Sequence, residues 1–169
     1  VSVQIGFSYK KGNILSWLIR KVSSSTCSHA WLLIDDPFFG VPMVLQASIE
    51  GGFVPMPYAR FLTSNTVVEV ITPIIPLDAA LHTAWPDLGT PYDYLGLFGM
   101  AWVMLGRLFH RMWNNPLSSS SEMFCSEAVV EAILIPAQYP GVDSLGPDQD
   151  VSPQALRTFL SSAKSAHAI

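Results

Sequence analysis

The stretch that decides the fold is residues 28–57, "SHAWLLIDDPFFGVPMVLQASIEGGFVPMP". It holds three short extended segments, "SHAWLLID", "MVLQAS" and "GGFVPMP", separated by "DPFFGVP" and "IEGG", with turn residues where a chain must reverse. This pattern predicts an antiparallel meander. Ahead of it, Val3 to Tyr9 reads as a strand, and Ile14, Leu15, Leu18, Ile19 and Val22 recur at helical spacing until "SSSTCS" breaks the pattern. Behind it come a short helix over Tyr58 to Leu62, a strand over Thr66 to Thr72, and a helix over Leu77 to Trp85 after Pro76. A turn at "DLGTPYDYLG" leads to a long apolar helix over 94–113. A polar loop "NNPLSSSSE", a helix opening near Cys125, a Pro/Gly/Asp-rich loop over 136–150 and a last helix begun by "SPQAL" complete the order. Strands gathered in front and helices behind predict an α+β fold, a small antiparallel sheet packed against helices.

At 169 residues the chain suits a single domain, 1–169, able to bury a core without disulfide staples. Half of it is hydrophobic and 13% is charged, which excludes the disordered class. A net charge of -4 with no long basic run argues against nucleic acid, although Lys10, Lys11, Arg20 and Lys21 make the first segment locally basic. Two distant cysteines read as reduced thiols and not as a disulfide framework. No signal peptide is visible, and a cytoplasmic or virion-associated setting is expected. The membrane-like run Tyr94 to Phe109 falls short of a membrane span. A helix apolar nearly all round still needs cover, so self-association, a protein partner or membrane contact is expected there.

Cys125 stands at the start of "CSEAVVEAIL", with Ser120 or Ser121 as N-cap and Glu122 in the first turn. Free N–H groups and the positive end of the helix dipole favour a thiolate at such a position. Free cysteine is also a common core filler, so a base must decide between the two readings. Of the four histidines, His167 lies in the tail, and His82 and His110 lie on helices with partly exposed neighbours. His29 opens a strand in which His29, Trp31 and Leu33 share one face and Ala30, Leu32 and Ile34 the other. On "MVLQAS", Val44, Gln46 and Ser48 share a face, and Gln46 could hold an imidazole in one tautomer. Glu50 is the competitor for that role, in a turn before two glycines.

The order "SHAWLLID", "VLQASIEGGFVPMPYARFL", "LGTPYDYLGL", "FCSEAVVEAIL" and "VSPQALRTFL" resembles the circularly permuted NlpC-type papain-like hydrolases, the YiiX/YebB-like group, over nearly the whole chain. In that group a histidine opens an early strand, a polar residue lies on the next strand, and the nucleophilic cysteine comes late in a "CSE" context. The resemblance implies His29, Gln46 and Cys125 as the catalytic set, with Gln46 where Glu is more familiar, and Tyr92 lining the pocket or donating to an oxyanion. It implies a permuted papain-like fold and a cysteine hydrolase, an amidase or peptidase acting on a cell-wall peptide or small amide, in a bacterial or phage setting. Two other readings stay open: a catalytically silent structural or binding module, and a lipid acyl hydrolase or acyltransferase. No metal or other cofactor is expected, because no His/Cys/Asp/Glu cluster has ligand spacing.

Overall fold

The computed structural model describes residues 1–22, 24–48, 51–91, 125–146 and 151–167. Five strands form one sheet: β1 (Ser2–Lys10), β2 (His29–Asp35), β3 (Met43–Ser48), β4 (Gly52–Pro57) and β5 (Asn65–Ile71), in the order β4-β3-β2-β1-β5. Every described pairing is antiparallel. The meander β2-β3-β4 is the one predicted from residues 28–57, and β5 closes on the far edge of β1. Among the described residues, five α-helices accompany the sheet: α1 (Ile14–Val22), α2 (Tyr58–Ser64), α3 (Asp78–Thr83), α4 (Cys125–Val129, continued as a π-helix over Val130–Leu134) and α5 (Pro153–His167). The expected α+β architecture is therefore observed.

The period-2 pattern of the strands separates two apolar layers. On one face, Ala30, Leu32 and Ile34 of β2 and Leu45 and Ala47 of β3 join Ile5 and Phe7 of β1. Ala128, Val129, Ile133 and Leu134 of α4, Leu81 of α3 and Leu156 and Leu160 of α5 close that layer. Each fully buried Leu or Ile there contributes ~1.5–3 kcal/mol. On the other face Trp31, Val44 and Phe61 form a smaller cluster beneath α2, flanked by Leu33, Met56 and Tyr58. Gly6 faces Trp31 across the β1–β2 ladder, and a Cβ at Gly6 would fall inside the Trp31 indole. The missing side chain leaves the ring its berth, and Trp31 Nε1 donates to Ser8 Oγ at 3.1 Å.

Local deviations from the expected elements have local causes. Pro86 lacks a backbone N–H, so the predicted helix over Leu77 to Trp85 is an α-helix only over Asp78–Thr83 and ends in a 3-10 turn over Trp85–Asp87. In α4 the Ile135 N–H reaches back five residues to the Val130 carbonyl at 2.9 Å, turning the second half into a π-helix. Helix α5 begins where "SPQAL" predicts, with the Ser152 hydroxyl accepting from Ala155 N at 3.2 Å. The apolar segment over 94–113 and its expected interface, like Glu50, the capping serines Ser120 and Ser121, and Glu122, lie outside the described residues. No helix among the described residues is long and apolar enough to cross a membrane.

Candidate functional site

Strand pairing creates the site. The β2–β3 ladder runs from Ile34↔Met43 to Leu32↔Leu45 and stops there, although β2 begins at His29 and β3 continues to Ser48. Across this open end of the ladder, His29 Nε2 and Gln46 Oε1 lie 2.7 Å apart. An amide oxygen can only accept, so His29 Nε2 carries the hydrogen and Nδ1 keeps its lone pair. That is the tautomer a general base needs. The Gln46 amide is itself oriented, because its Nε2 points at Met56 Sδ, 3.3 Å away on β4. Gln46 is buried, as a residue facing the Val44 side of β3 must be beneath α2, and the Phe61 ring lies against the imidazole at 6.3 Å between centroids.

Cys125 arrives from the other face of the sheet, at the start of α4. The Cys125 helix packs against β2, where the Ala30 backbone N–H, next to His29 in the chain, favours the thiolate. The backbone groups of Cys125 and Ser126 and the Ser126 hydroxyl add to this polar surround, each favouring the thiolate, as free N–H groups at a helix start should. Burial outweighs them. Desolvation pushes the Cys125 thiol above its ordinary value, against the thiolate that the helix start favours. Desolvation also pushes His29 down to about 4, against the opposing effect of Gln46. Burial thus favours a neutral thiol and a neutral imidazole over an ion pair.

The other sequence candidates separate cleanly. Cys27 is fully buried in the approach to β2, and burial raises its thiol above its ordinary value as well. Its sulfur sits 3.7 Å from Ser25 Oγ and 3.9 Å from Gln154 Oε1. Ser126 donates to the Val151 carbonyl at 2.5 Å, which ties α4 to the start of α5. His82 is exposed on α3, while Tyr92 and His110 lie outside the described residues. Sequence reading missed Met56, Phe61 and the Ala30 backbone. Met56 was accessible in principle: it pairs with Val44, so period-2 alternation puts it on the face that carries Gln46.

Among solved structures the chain is similar to the crystal structure of metalloprotein YiiX from Escherichia coli O157:H7. The TM-score is 0.56, over 92% of this chain and 91% of that chain, at 19% sequence identity. The fold is YiiX-like. No family model and no curated protein matches this sequence. The metal belongs to the description of YiiX. Among the described residues of this chain no group of three or more His, Cys, Asp or Glu could hold a metal ion. His29 Nε2 already meets the Gln46 amide oxygen, so the described residues do not supply a ligand set for such a metal.

Proposed function

We propose that this chain is a cysteine hydrolase of the circularly permuted NlpC-type papain-like kind, cleaving an amide of a peptide or a small molecule. The observation that carries this reading is the His29–Gln46 pair at 2.7 Å on the strand against which the Cys125 helix packs. Substrate entry would bring the carbonyl carbon to Cys125 Sγ. The S–H proton passes to His29 Nδ1 as the S–C bond forms, and Gln46 Oε1 stabilises the resulting imidazolium through Nε2–H. The carbonyl oxygen takes the negative charge, with the Cys125 backbone N–H as donor. Collapse of the adduct breaks the C–N bond, and the amine leaves with the proton from His29. Water, deprotonated by the same imidazole, then cleaves the thioester and restores the thiol.

A neutral resting pair demands that proton transfer accompany attack, because little thiolate waits in the free site. The same burial also favours a second reading, a catalytically silent module that keeps the fold around an inert thiol. An acyl-transferring thiol probe, an activated peptide ester, separates the two. Wild-type and Cys27→Ser chains should become acylated on Cys125, and Cys125→Ala should not. Labelling of Cys27 alone, or of neither thiol in the folded protein, would leave only the silent module.

A further inference from the structure

Helix α1 holds a buried serine and two exposed apolar side chains. Ser16 faces inward and is buried, where it lies 2.6 Å from Ser28 Oγ and accepts from the Lys10 backbone N–H at 3.1 Å. Outward stand Ile14, 81% exposed, and Trp17, 55% exposed. Ile14, Trp17 and Lys21 are spaced i, i+3 and i+7, so they share one side of the helix. Two large apolar side chains held in water by a helix anchored through hydroxyls call for a partner surface.

Charge identifies that surface. Lys10, Lys11, Arg20 and Lys21 are four of the nine basic residues of a chain whose net charge is -4, and no Asp or Glu occurs before Asp35. Lys10, Lys11 and Lys21 are exposed, and Arg20 lies over the Tyr9 ring at 4.0 Å to its centroid. A second copy docking through this face would bring like charges together across a two-fold axis, which disfavours self-association. Trp at the level of lipid headgroups, with lysines around it, is the chemistry of a helix lying in a membrane interface.

We propose that α1 and the lysines preceding it form a docking surface that seats this chain on an anionic lipid membrane. The hydroxyl contact between Ser16 and Ser28 joins the helix to the residue before His29, so docking would hold the candidate site close to the headgroups. The surface argument uses no part of the thiol chemistry and stands apart from the proposed reaction.

Flotation of the full chain with vesicles tests it. Vesicles of phosphatidylcholine with phosphatidylglycerol should carry the protein at low salt, and vesicles of phosphatidylcholine alone should not. Added salt should weaken binding. Each lysine removed in Lys11→Gln and Lys21→Gln should lower the partition coefficient about fivefold. Ile14→Ser with Trp17→Ser should lower it about tenfold or more. All four side chains are exposed, and an unchanged circular dichroism spectrum confirms that the variants fold. Equal partitioning onto both vesicle types, no partitioning, or variants that bind like the wild type would overturn the proposal. So would a concentration-dependent dimer that Trp17→Ser makes monomeric, in the absence of vesicle binding, since the occupant would then be a second copy.

Discussion

Acidification should unfold this protein partly through His29, and the size of the effect follows from the site. In the folded chain the imidazole stays neutral down to about 4, because desolvation opposes its charged form. In the unfolded chain it takes a proton near pH 6.5. Between those values the unfolded state binds more protons, so stability rises with pH and is lost as pH falls. From pH 7 to pH 5 the difference integrates to about 2 kcal/mol for a ring wholly closed off. His29 keeps part of its surface open to water, so about 1–2 kcal/mol is expected. Urea unfolding of wild type and His29→Gln at the two pH values measures this, because titrations shared by both chains cancel in the difference. Wild type should lose more stability than the variant by that amount. Equal losses would show that the ring is not desolvated. A smaller loss in wild type would mean that His29 is held as an imidazolium against a Cys125 thiolate, and the neutral-pair mechanism would fail.

Three further perturbations probe the same architecture. Gln46→Ala removes the acceptor from His29 Nε2–H and should slow turnover of an activated ester about tenfold, the equivalent of ~1.4 kcal/mol, against loss to background in Cys125→Ala. Gln46→Glu should raise the His29 pKa by placing a carboxylate at that nitrogen, moving the acid limb of the pH–rate profile to higher pH; an unmoved limb would detach Gln46 from the ring's protonation. Gly6→Ala pushes a methyl group into the buried Trp31 indole and should cost about 1–3 kcal/mol by urea midpoint, whereas a neutral result would mean that Trp31 has another place to go.

The sheet was legible because β2 and β3 alternate cleanly. His29, Trp31 and Leu33 against Ala30, Leu32 and Ile34 can be assigned to two faces from period 2 alone, and the same count turns Gln46 inward. The His29–Gln46 contact follows from that count once the strands are neighbours. Electrostatics was not legible in the same way. A helix start can be read from local residues and argues for a thiolate, but the desolvation that overrides it comes from the α4 and β2 layers closing on each other, whose contacts are distant in sequence. The turn from α to π geometry at Val130 also escapes any local rule, since Ala, Ile and Leu in that run suit either helix.

Helix α1 carries exposed apolar side chains at Ile14 and Trp17. Apolar residues at helical spacing predicted the helix correctly, yet periodicity assumes that the apolar side is the buried one. In α1 Ser16 is buried, and its hydroxyl meets the Lys10 backbone N–H and the Ser28 hydroxyl, while Trp17 stands outside. Hydrophobicity reports what leaves water and is silent on what replaces it. The replacement is named by the cations of the same segment, which a period count does not weigh. If lipid takes that place, an amide on a membrane-associated substrate becomes the first chemistry to offer Cys125. Vesicle-incorporated and soluble versions of one activated ester would then differ in KM and not in kcat, because docking raises the local substrate concentration without touching the reacting atoms.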